Sequence, residues 1–210
     1  MNTIPQTDKS GSQRPIPVVV DALRRGSAAY VTGDYPLALS ILEGFSTLPQ
    51  VQCFLGLIYL DDPQFAFERY LGWQYLESSA TAGDEYAWLM LGRRYACLEP
   101  SDAAFEKAVY WLLKGAQKGC LYSQQTLAWC LCKLEIFVEA SKWLFITVTL
   151  GNSDAQGLCD CVQCNMTERE YEYAQKLALT WLMEKAKEPL FGFHRPLANY
   201  CEKVKHLSLA

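Results

Sequence analysis

A phrase that recurs four times constrains this chain more than any other feature. A small residue is followed three positions on by an aromatic and then at once by leucine: Gly72-Tyr75-Leu76, Ala108-Trp111-Leu112, Ala140-Trp143-Leu144 and Ala178-Trp181-Leu182. The aromatics stand 36, 32 and 38 residues apart. Eight positions after each of the first three comes a glycine (Gly83, Gly119, Gly151), and Pro189 holds that place in the fourth copy. A period of this size marks a repeat architecture, in which each unit buries its apolar face on its neighbours. The parts have physical roles. Two closely packed helices need a small residue where their backbones approach. The aromatic fills the wider space between successive hairpins. The glycine ends a helix where φ is positive.

The apolar spacing between these phrases is helical. Ala87, Leu91 and Tyr95 lie at i, i+4 and i+8, one stripe of a helix, with Gly92 beside them. The expected fold is all-α: an α-solenoid of about five antiparallel helical hairpins, at about 18–48, 51–83, 85–119, 121–151 and 153–188. Turn signals divide the hairpins. Pro36 suits a first helical turn, Ser101 or Asp102 suits an N-cap, and Thr167-Glu168-Arg169-Glu170 reads as a capping box. Hairpin three has a short connection near Leu134–Glu135, which accounts for the interval of 32. Residues 1–17, polar and with three prolines, read as a disordered tail. Glu188-Pro189 breaks the last long helix, and in residues 189–210 a loop precedes a capping helix, about Leu197 to Leu207, that covers the open end of the array.

Composition narrows the function. Half the 210 residues are hydrophobic, enough to bury a core, and the net charge is −4 with a pI of about 5.3. A nucleic-acid binder needs clustered Lys and Arg, so none is expected as a partner. No apolar signal segment opens the sequence and no run of about 18 apolar residues occurs, which points to the cytoplasm and to no membrane span. Nine cysteines are then reduced, mostly buried thiols. Cys159-x-Cys161-x2-Cys164 with Asp160 looks like a metal cluster, yet a zinc site needs four ligands and the only histidines are His194 and His206. No metal, no cofactor and no catalytic residue is expected: two histidines near the C-terminus leave little for acid–base or nucleophilic work. The acid pairs sit at turns and helix starts, where they favour the helix dipole.

Taken together, these residues resemble the Sel-one-like repeat family, a relative of the tetratricopeptide repeat. The family pattern is roughly Ala-x3-Leu-Gly-x2-Tyr, a loop, then Ala-x2-Trp-x3-Ala-Ala-x2-Gly. Hairpin two matches with Ala87, Leu91, Gly92, Tyr95, Ala108, Trp111, Ala116 and Gly119. Hairpin one matches with Leu55, Gly56, Tyr59, Gly72, Tyr75, Ala80 and Gly83. Hairpins three and four keep fewer positions, and the family's usual Gly-x-Gly loop is absent from every copy. Ahead of the array, Gly33-Asp34-Tyr35-x-x-Ala38 is similar to a tetratricopeptide turn. The resemblance implies a right-handed superhelix that binds a protein or peptide and is not an enzyme, often as an adaptor in bacterial signalling, secretion or host contact.

It also implies where the partner sits, because the first helix of each hairpin lines the concave face of such arrays. Around the core stripe of hairpin two, Tyr86, Met90 and Arg93 point elsewhere. Tyr122, Thr126 and Trp129 correspond in hairpin three, and Gln52 and Asp154 occupy similar places in hairpins one and four. Aromatics and an arginine are what binding hot spots use, although Trp129 and Tyr86 would equally serve as packing between hairpins. The expected function is a bacterial adaptor or chaperone for a secreted effector. The alternatives are an immunity protein that masks a toxin, and a redox- or metal-responsive regulator using Cys159, Cys161 and Cys164. The sequence carries no sign of oligomeric state.

Overall fold

The computed structural model describes residues 16–97, 101–152 and 155–187. Ten α-helices and two 3-10 turns are their regular structure. The helices are α1 (Ile16–Val31), α2 (Tyr35–Leu42), α3 (Pro49–Asp61), α4 (Arg69–Thr81), α5 (Glu85–Cys97), α6 (Asp102–Gln117), α7 (Leu121–Lys133), α8 (Phe137–Thr149), α9 (Gln156–Gln163) and α10 (Glu168–Lys185). The regular structure of the described residues is all helical, as expected of the repeat: α1 packs on α2 and α3 on α4 in the first unit, and α7 packs on α8 in the second. The chain divides into two compact units, Met1–Leu91 and Gly92–Ala210, and the division falls inside α5. The capping helix expected near 197–207, and the tail up to residue 15, lie outside the described residues.

Helix ends follow local chemistry. α1 begins at Ile16, two residues before the expected start of order, with Pro17 in its first turn. The Asp34 carboxylate accepts from Leu37 N and starts α2. Ser101 caps α6 through Ala104 N. In the first unit α4 starts at Arg69, because Asp62 caps a separate 3-10 turn over Pro63–Phe65 ahead of it.

The first unit packs around Val19, Ala29, Ala38, Leu42, Leu48, Val51, Leu55 and Ile58. Its closest helix contact is between α3 and α4. A Cβ on Gly56 would lie 2.8 Å from the Gly72 carbonyl oxygen and 2.9 Å from Leu76 N, so only hydrogen fits there. The two helices run antiparallel: Ser79, late in α4, donates its hydroxyl to the Pro49 carbonyl at 2.7 Å, at the start of α3. In the second unit a Cβ on Gly92 would meet the side chain of Leu112 of α6, with the Ala108 carbonyl oxygen 3.3 Å away.

Of the repeated phrase, the small residue and the leucine form the constant core. Gly72, Ala108, Ala140 and Ala178 are buried, and so are Leu76, Leu112, Leu144 and Leu182. The aromatic is less uniform than expected. Trp143 is buried and meets Trp181 of the next hairpin edge-on, with centroids 5.5 Å apart. Tyr75 is half-buried and stacks on Tyr59 of its own hairpin. Trp111 is half-buried, with ring contacts to Tyr110 and Lys114 on its own helix.

The glycines end helices as expected. Gly83, Gly119 and Gly151 have φ of 93°, 92° and 100°. In each case the next residue's N–H reaches back to close the end: Asp84 to Ser79 O, Cys120 to Gly115 O, Asn152 to Thr147 O. The same closure ends α7, where Ile136 N donates to Leu131 O at 2.9 Å, but the left-handed position is held by Glu135 at φ 57°. An L-residue there costs about 1–2 kcal/mol, against about 0.5–1 kcal/mol of extra entropy for glycine. Glu135→Gly is therefore expected to stabilise the protein by about 0.5–1 kcal/mol, read as a rise in the thermal midpoint.

Candidate functional site

In the first unit a row of rings lies over the core, with Tyr30, Tyr35 and Phe54 half-buried and packed against it. Tyr35, Tyr30, Phe54 and Tyr86 form a run with successive centroid distances of 6.0, 5.9 and 5.6 Å. The Tyr30 hydroxyl donates to the Asp61 carboxylate at 2.7 Å. Tyr86 is 42% exposed and Met90 is half-buried. Gln52 is placed differently: its amide nitrogen donates to Ser46 O at 3.0 Å and its amide oxygen accepts from Ser78 Oγ at 2.9 Å. It lines a groove of about 300 Å³ with Leu71, Gln74, Tyr75 and Ser78 of α4. Tyr30 and Phe54 were not among the sequence candidates. A signal for Phe54 exists, since it stands 36 residues before Met90 and 72 before Thr126.

In the second unit the candidate residues gather on α7. Tyr122, Thr126 and Trp129 fall at i, i+4 and i+7, one side of the helix, and Lys133 continues the stripe one turn on. Tyr122 is 69% exposed and Trp129 37% exposed. The opposite side of α7 is buried through Gln124, Leu127, Ala128 and Leu131. Trp129 serves both readings given for it. Its ring packs edge-on against Phe105 of α6 at 5.5 Å, while the Lys133 ammonium sits 5.5 Å from its centroid on the open side. The Thr126 hydroxyl donates to Tyr122 O at 2.8 Å. Arg93 is exposed on α5. Asp154 lies outside the described residues.

The buried side of α7 is held by a bond that recurs with the repeat. Gln124 Nε2 donates to Ala116 O at 3.1 Å. In the first unit Trp88 Nε1 donates to Ala80 O at 2.7 Å. Donors and acceptors are each 36 residues apart. Each bond anchors the start of one hairpin to the end of the helix before it, and so fixes which side of the first helix stays open.

Burial governs several thiols among the described residues. Burial pushes Cys130 up to about 12 and Cys132 up to about 11, the latter helped by the neighbouring Cys161 and Cys159, and burial also raises Cys159. At neutral pH these sulfurs stay protonated, whereas reactive cysteines have lowered values. The cysteines among the described residues are unpaired thiols, with Cys97, Cys161 and Cys164 exposed. Among the described residues no group of three or more His, Cys, Asp or Glu side chains could hold a metal ion. The acid pair at the start of α10 is structural: Thr167 caps the helix and Glu170 accepts from the Thr167 backbone and hydroxyl, which holds its carboxyl below the usual range. Both histidines lie outside the described residues.

No family model matches the chain, and no curated protein matches it. A search of solved structures finds a protective antigen of uropathogenic Escherichia coli strains, described as displaying an SLR fold, at 18% identity and a TM-score of 0.42. The match covers 90% of this chain and 48% of that protein, so the chain spans about half its length. The helix pairs described above, not this likeness, establish the all-α repeat. No helix among the described residues is long and apolar enough to cross a membrane.

Proposed function

We propose that the chain is a non-enzymatic scaffold that holds a protein or peptide on the open sides of its first helices, and that in the second unit the contact is the outward stripe of α7. One observation carries this reading. Tyr122 and Trp129 are large aromatics on one side of a helix whose opposite side is buried, yet both reach solvent. Rigid aromatics flanked by a cation such as Lys133 offer large contact area at low entropic cost. An adaptor or chaperone for a secreted effector and an immunity protein would both use such a surface.

The test is photo-crosslinking in cells. A photoreactive phenylalanine at position 122 is expected to trap one predominant protein, and the same group at Tyr110 of α6 to trap none. With the trapped protein in hand, Arg93→Glu is expected to weaken binding by about tenfold while the thermal midpoint stays unchanged. Binding unaffected by both Arg93→Glu and Tyr122→Ala would place the contact elsewhere.

A further inference from the structure

The second unit also holds a cavity that the partner surface does not use. It measures about 370 Å³ and opens among α6, α7, α8 and α10. Pockets for small molecules begin at roughly 300 Å³. Val109 and Leu113 come from α6, Leu131 from α7, and Trp143 and Trp181 from α8 and α10. Walls of this kind bury an apolar or aromatic body.

Three polar side chains line it, Gln117, Glu139 and Lys142, and the cation among them is Lys142. Its side chain is only 17% exposed, whereas that of Glu139, its ion-pair partner at 3.0 Å, is 43% exposed. The lysine side chain is thus the more covered member of the pair. An ammonium carries three N–H donors, and Glu139 takes one of them. The Trp143 ring, 4.7 Å from Nζ to its centroid, presents a π face to the charge. That face is attractive but offers no lone pair. An acceptor that reaches these donors gains a charge-assisted bond, and a charged acceptor gives the stronger one.

We propose that this cavity binds a small carboxylic acid with an apolar body, the body lying against Trp181, Val109 and Leu113 and the carboxylate taking the remaining Lys142 donors. Glu139 sits beside that position with the same charge. It therefore acts as a stand-in for the ligand carboxylate and opposes it when the ligand is bound. The two residues of one ion pair are assigned opposite effects on affinity, which a purely structural salt bridge would not produce. The site is independent of the α7 stripe, because Leu131 projects from the side of that helix away from Tyr122 and Trp129.

The experiment uses octanoate, octylamine and 1-octanol as probes on the full chain. The readout is the pair of indole N–H resonances of Trp143 and Trp181, assigned with tryptophan-to-phenylalanine variants. Octanoate is expected to shift both indoles saturably, and octylamine to shift neither at the same concentrations. Lys142→Gln is expected to weaken octanoate about tenfold, and Glu139→Gln to tighten it several-fold. Neither change should alter the response to 1-octanol. Binding of octylamine as tight as that of octanoate, octanoate affinity unmoved in both variants, or indoles unmoved by octanoate would each overturn the proposal. Crosslinking through position 122 is unaffected by any of these results.

Discussion

Trp143→Ala is expected to lower the unfolding free energy by about 3–5 kcal/mol, measured by chemical denaturation, whereas Trp111→Ala costs much less. The two tryptophans hold the same place in the repeated phrase, so a sequence reading gives them equal weight. Their surroundings differ. Trp143 is 2% exposed and abuts Trp181 across the hairpin boundary. Truncation there empties an indole-sized volume between two hairpins that cannot collapse onto each other without moving whole helices. Trp111 is half-buried, and its ring contacts are with Tyr110 and Lys114 on its own helix, so solvent and those side chains can take up the space. Similar losses at the two sites would mean that the aromatic acts alike in every copy.

The second large effect turns on sign. Alanine is favoured over glycine inside a helix by about 1 kcal/mol, so propensity alone predicts that Gly56→Ala stabilises α3. Packing predicts the reverse. The added methyl would meet the Gly72 carbonyl oxygen and Leu76 N of α4, backbone atoms that cannot rotate away. The helices must separate, and a net loss of about 2–3 kcal/mol is expected. Gly157→Ala is the control: this glycine lies in α9 with nothing near the site of its missing Cβ. It should gain about 1 kcal/mol. A stabilised Gly56→Ala would show that the close approach of α3 and α4 is not what selects the small residue.

These contrasts show how far the repeat was legible. The small residue and the leucine could be read from spacing, because close helix packing leaves one solution at each position, and all eight are buried. Helix ends could be read from Gly83, Gly119 and Gly151, where a positive φ selects the residue type. The end of α7 could be read only as the short connection near Leu134–Glu135: Glu135 adopts a left-handed conformation at a cost, and glutamate carries no signal for it. The 3-10 turn over Pro63–Phe65 was hidden for a similar reason, since Asp62 is an ordinary cap whose helix stops after one turn.

The candidate surface was legible where it follows helix geometry alone. Tyr122, Thr126 and Trp129 share one side of α7 as their spacing requires. Gln52 was not readable in this way, because its amide partners, Ser46 and Ser78, come from segments before and after α3 in the chain. Lys142 and Glu139 were invisible as a site for a related reason. Three residues apart on a helix they look like any surface ion pair. Only the walls supplied by α6, α7 and α10 make one of them sheltered.

The affinity of the protein trapped through position 122 for the Tyr122→Ala chain tests the central claim most directly. Tyr122 is 69% exposed, so its removal should leave the thermal midpoint within error of the parent. The open stripe of α7 as the contact surface predicts an affinity loss of more than about tenfold, against no change for Tyr110→Ala on α6. Equal affinity of the parent and the Tyr122→Ala chain, both fully folded, would contradict it.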